Sequence, residues 1–81
     1  MNGEISQNLI NKIKAVLVPK ISDFVANSVI RVTCKRIETD PANLDVSQLT
    51  EFADKMKTSL LLFLEEKEVA EITQKIKSIV I

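Results

Sequence analysis

The chain has 81 residues, 46% of them hydrophobic, with eleven basic and eleven acidic side chains and no formal net charge. That length holds one domain with one core and leaves no room for a second. Six basic residues meet four acidic ones in the first forty positions and five meet seven in the rest, a tilt too small to build a phosphate-binding surface.

Residues 4 to 18 read as a first amphipathic helix. Ile5, Leu9, Ile13 and Val16 form a helical stripe that Ile10 and Leu17 widen, with Glu4, Gln7, Asn8, Asn11 and Lys12 outside it. Asn2 or Gly3 is the available cap. Pro19 then interrupts, because it lacks an N–H, clashes with the preceding turn and pushes Val18 away from helical geometry. A break with Pro19 at the first position of the next helix is the expectation. One kinked helix running through it is the alternative.

The second helix is expected over residues 20 to 37. Ile21, Val25, Ala26, Val29, Ile30, Val32, Cys34 and Ile37 span an arc of roughly 200°, wider than a surface helix needs. Ser22 and Thr33 fall inside that arc, where each can bond back to the preceding turn. So broad an arc makes this the most buried helix, or one that turns a face to another subunit. Its β-branched residues lower helix propensity, so packing must hold it.

Glu38 to Asn43 forms the one real loop, and Asp40-Pro41 could start a single helical turn before Leu44. Three signals then agree on the start of a third helix over 45 to 64. Asp45 is the cap, Gln48 completes a D-x-x-Q capping box, and Leu44 with Leu49 has the spacing of a hydrophobic staple. Leu49, Phe52, Ala53, Met56, Leu60, Phe63 and Leu64 share a stripe roughly 120° wide, and Glu51, Asp54, Lys55, Lys57 and Thr58 lie opposite. Leu61 and Leu62 project away from the stripe, either under a neighbouring helix or toward a partner chain.

Neither Gly nor Pro ends this helix, but phase does. Continued straight, it would place Val69, Ile72, Ile76, Ile79 and Val80 about 180° from the earlier stripe. One small domain cannot bury both, so a turn is expected near Glu65–Lys67 and a fourth helix over 67 to 80. The alternative is one long helix whose second half docks on another chain. Four amphipathic helices with short connections give an all-α fold, a compact four-helix bundle or a related orthogonal array.

Chemistry is sparse. Without histidine, tyrosine or tryptophan, most acid–base, metal-binding and base-stacking arrangements are closed. Cys34 is the only cysteine, which rules out an internal disulfide, favours a reducing compartment and predicts a buried, inert thiol. Glu65, Glu66, Glu68 and Glu71 cluster, but they lack a calcium loop's spacing and read as a solvated helix start. The single glycine, Gly3, permits no glycine-rich phosphate loop. Arg31, Lys35 and Arg36 could contact phosphate as a recognition helix does. The plainer reading is that Lys35 and Arg36 suit a helix C-terminus and that Arg36 covers the apolar arc with its methylenes.

No apolar run reaches the ~18–20 residues of a membrane span, and the first residues lack a signal peptide's basic and apolar regions. The cytoplasm is the default location, and no cofactor is implied.

The portion VIRVTCKRIETDPANLDVSQLTEFADKMKTSLLLFLEEKEVAEI carries Lys35-Arg36, Pro41, Leu44, Leu49, Leu60, Phe63-Leu64 and Ile72. In that pattern it resembles small all-helical domains found alone or appended to prokaryotic signalling proteins. Such domains often place a glycine before the last helix, where this chain has Glu65-Glu66. The resemblance implies a protein-interaction or regulatory module and carries over no catalytic residue. The expectation is therefore a non-enzymatic helical interaction module that self-associates as a homodimer through Val29 on helix two and the Leu61–Leu62 ridge. A DNA-binding regulator using Arg31, Lys35 and Arg36 is the alternative.

Overall fold

The computed structural model describes the backbone of residues 2 to 79 and the side chains of residues 7 to 79. Four α-helices follow one another: α1 (Asn2–Leu17), α2 (Asp23–Arg36), α3 (Leu49–Leu60) and α4 (Glu66–Lys77). A 3-10 turn, Val46–Gln48, leads into α3. The helices form a closed ring in which α2 packs between α1 and α3, α3 between α2 and α4, and α1 against α4. The all-α four-helix bundle expected from periodicity is the architecture observed. Its radius of gyration, 11.4 Å, is close to the ~12 Å of a compact chain this long.

The core is a single cluster. Leu9, Ile13 and Leu17 come from α1, Ala26, Val29, Ile30 and Cys34 from α2, and Val69, Ile72 and Ile76 from α4, around Phe52, Ala53, Met56 and Leu60 of α3. Ile10 is buried and Val16 half-buried. The side chain of Ile5 and the whole of Val80 lie outside the described residues, whereas Asn2 and Gly3, expected as the cap, are already within α1. Thr33 and Thr73 carry buried hydroxyls, and both bond back one turn: Thr33 Oγ1 to the Val29 carbonyl at 2.7 Å and Thr73 Oγ1 to that of Val69 at 3.0 Å. Among the described residues no buried side-chain polar atom lacks a hydrogen-bond partner.

Pro19 does end α1, and the alternative of one kinked helix falls. The Val18 N–H still reaches the Lys14 carbonyl (2.8 Å), and the Lys20 and Ile21 N–H groups both close on that of Leu17 (2.9 Å). Pro19 does not open α2, however. Ser22 is the N-cap, its Oγ accepting from the Val25 N–H at 3.2 Å. A hydroxyl that can satisfy a free N–H outranks a proline that merely tolerates the first position. Ser22 thus leaves the apolar arc to which periodicity assigned it.

α2 closes in a Schellman arrangement: the Thr39 N–H reaches the Cys34 carbonyl at 2.9 Å and the Glu38 N–H that of Lys35 at 3.1 Å. Glu38 carries the required left-handed backbone, φ 58°, a place where a Cβ is unfavourable and glycine is usual. Asp40 then organises the loop, its carboxylate accepting from the Ala42 N–H and the Asn43 side chain, each at 3.0 Å. Only a hydrogen-bonded turn forms there.

At the start of α3 the Asp45 N–H donates to Gln48 Oε1 at 2.9 Å, and Leu44 and Leu49 are both buried in the core, as box and staple require. The box encloses the 3-10 turn, so the α-helix proper begins at Leu49, four residues later than expected. It also ends sooner, at Leu60. The chain tightens as the Leu62 and Phe63 N–H groups close on the carbonyls of Ser59 and Leu60 (3.2 and 2.9 Å). α4 begins at Glu66, so the turn inferred from phase is real and the single long helix is not.

Ion pairs mark how the helices run. Lys14 meets Asp23 at 3.1 Å, Lys77 meets Asp54 at 2.8 Å, and Lys20 meets Glu68 at 3.9 Å. The end of α4 therefore lies beside the middle of α3, and its start beside the α1–α2 turn.

Two measurements test this account. Glu38→Gly raises the thermal midpoint by a few degrees, about 0.5–1 kcal/mol, because glycine occupies the left-handed region freely. Glu38→Ala, which keeps a Cβ, gains less. The Asp54 carboxyl is held below its ordinary 3.8, first by the hydrogen bond from Lys77. A lowered folded value stabilises above the ordinary value and is lost as pH falls through the folded one. Urea midpoints should accordingly favour the wild type over Asp54→Asn near neutrality, with the gap closing under acid.

Candidate functional site

The wide arc of α2 is only partly covered by the bundle. Ala26, Val29, Ile30, Thr33 and Cys34 face inward, whereas Phe24 is 79% and Val32 44% exposed. α2 is therefore not the most buried helix. Among the described residues α3 is, with Leu49, Phe52, Ala53, Met56, Ser59 and Leu60 all buried along twelve residues.

Along the uncovered side runs an apolar groove of about 370 Å³. One wall is a face of α2, from Phe24 through Ser28 and Val32 to Arg36, and the other is Ser59, Leu62 and Phe63. Twelve residue steps along the helix make that wall roughly 18 Å long. Leu62 is 80% and Phe63 54% exposed. Phe63, expected on the core stripe, leaves it because α3 stops at Leu60 and the following turn no longer obeys helical periodicity. Leu64 alone of the connecting residues turns back to pack on the core.

The expected interface residues separate. Leu62 stands in the groove wall, and Val29 forms its floor at only 4% exposure. An interface there must rest on its exposed neighbours more than on Val29. Leu61, half exposed, is outside the groove lining. Phe24, the most exposed aromatic, escaped the sequence reading. Its adjacency to the Ser22 cap was the available signal, since a residue in the first turn of a helix has fewer neighbours to cover it.

The basic trio does not converge. Arg31 borders a second depression with Ile10, Asn27, Ile30 and Pro41. Arg36 lies in the groove lining and donates from Nη1 to the Lys55 carbonyl at 3.3 Å. Lys35 is exposed near the end of α2. The glutamate cluster occupies the start of α4, with Glu66 and Glu68 in the first turn, and among the described residues no three acidic, Cys or His side chains form a metal-ligand set. No described helix is long and apolar enough to cross a membrane.

Cys34 is fully buried on the core side of α2. Burial, with Asp40 nearby, pushes its thiol up to about 11.

Set beside protein-family models, curated proteins and solved structures, the chain matches none of them. The likeness to helical domains of signalling proteins thus stands on the sequence pattern alone, and the function has to be argued from the groove.

The thiol gives a direct check on the packing around α2. At pH 8 the folded protein should leave Ellman's reagent almost unreacted over minutes, while denaturant releases one full equivalent, because only the exposed thiolate attacks. Rapid labelling of the native chain would place Cys34 at the surface.

Proposed function

We propose that the chain is a non-enzymatic helical protein-interaction module whose docking face is the groove between α2 and the α3–α4 connection. The observation that carries this reading is the grouping of Phe24, Val32, Leu62 and Phe63 in water around one depression. Scattered exposed apolar residues are ordinary on any protein, but a contiguous patch is not. These four side chains present roughly 500 Å² of apolar surface, near the upper end for a single patch on a monomer.

The patch also has the anatomy of an interface. Two phenylalanines supply large area, Ser28 offers a small polar contact, and Arg36 supplies a cation held in place by the Lys55 carbonyl. Aromatic residues and arginine are the types over-represented where binding energy concentrates. The resemblance to helical domains associated with signalling proteins points toward the same regulatory use.

Site-specific photo-crosslinking in the producing cell tests the reading. A photoreactive amino acid at position 62 or 32 should give a discrete protein adduct on irradiation, while the same group at Glu71, on exposed α4 surface, should not. Positions 62 and 32 giving no adduct above the Glu71 control would overturn it.

A further inference from the structure

Taking the groove as a docking face, we infer that its occupant is a second copy of this chain, bound about a two-fold axis that lays the basic end of one groove over the acidic end of the other. The assignment rests on charge polarity along the groove and on the area it offers.

The groove has unlike ends. At the C-terminal end of α2 stand Lys35 and Arg36, with Lys55 brought alongside through the Arg36 bond to its carbonyl. Glu38 and Asp40 lie just past this end, Asp40 beside Cys34 on the core side and bonded to Ala42 and Asn43. Asp54, next to Lys55, is paired with Lys77 of α4, and Glu51 stands one turn before Lys55. Arg36 is the charged side chain in the groove lining itself. At the other end α2 begins with Asp23, and the Lys20–Glu68 contact draws the start of α4, with Glu65 and Glu66, to the same place. Lys14 and Lys20 there are engaged with Asp23 and Glu68. Glu65 and Glu66, followed by Lys67, leave the end net acidic.

An object with a cation at one end of an apolar trough and an anion at the other is complementary to itself once turned through 180°. Both ends then satisfy each other twice, as an isologous interface demands. A parallel arrangement would instead oppose like charges. The zero formal charge of the chain means no long-range repulsion resists the approach.

Area points the same way. Burying about 500 Å² of apolar surface from each copy gives about 1,000 Å² before any polar rim is counted, close to the ~1,200–2,000 Å² of a specific interface.

Sedimentation of the full chain between 1 and 200 µM, in low salt to limit screening, provides the test. The wild type should show a concentration-dependent dimer. Leu62→Ser and Phe24→Ser, both at exposed positions, should weaken it about ten-fold or more with the helical circular dichroism unchanged. Lys35→Glu and Glu65→Lys should each weaken self-association by about three-fold or more, since each places like charges together twice. Mixed in equal amounts, the two charge variants should recover wild-type association, because every contact between them is again of opposite sign.

Monomer at every concentration would overturn the inference, as would a dimer indifferent to position 62, or charge variants that fail to rescue each other. In those cases the crosslinking result decides the broader reading separately. An adduct at position 62 of mass other than twice the chain's would keep the docking face and assign it to a different protein.

Discussion

Everything in this fold leans on one seam, the face of α3 formed by Leu49, Phe52, Ala53, Met56 and Leu60. All five are buried, and α3 packs against α2 on one side and α4 on the other. α1 closes the ring from the far side through Leu9, Ile13 and Leu17. A chain this short buries only about 60–65% of the surface its unfolded state exposes, so the bundle cannot spare this face. Capping box, staple and Asp54–Lys77 ion pair all serve to hold α3 in register with its neighbours.

The groove follows from the same geometry. α2 carries apolar residues around more of its circumference than two neighbours can cover, and the bundle takes the side bearing Ala26, Ile30 and Cys34. Phe24 and Val32 remain outside, and the early end of α3 sets Leu62 and Phe63 beside them. Polar residues at these four positions would leave the core intact. Their apolar character is thus an addition to the fold rather than a requirement of it, which is why it bears on function.

What could be read in advance divides along physical lines. Helix number, the break at Pro19 and the turn after α3 were all legible, because periodicity reports which residues must be buried together. Boundaries were less so. Ser22 could serve as a cap or as a tolerated core hydroxyl, and only the backbone path chooses between them. The misplacing of Phe63 has a related cause: helical phase predicts orientation only while the helix lasts, and no glycine or proline marked where α3 stopped. Phe24 went unnoticed because an apolar residue outside a stripe has no periodic signature. Surface function of this kind is written in departures from the pattern, whereas the fold is written in the pattern.

The connection between α3 and α4 has one more consequence. From Ser59 to Leu64 the chain reads SLLLFL, a short uncharged run without proline or glycine, of the composition from which cross-β aggregates nucleate. Folding hides Leu60 and part of Leu64, but the turn keeps the middle of the run in water. Lys57 on one side and Glu65-Glu66 on the other supply the flanking charges that impede strand-to-strand stacking. Those three side chains therefore have a second use when the helices are undone, as guards over the stickiest six residues in the unfolded chain.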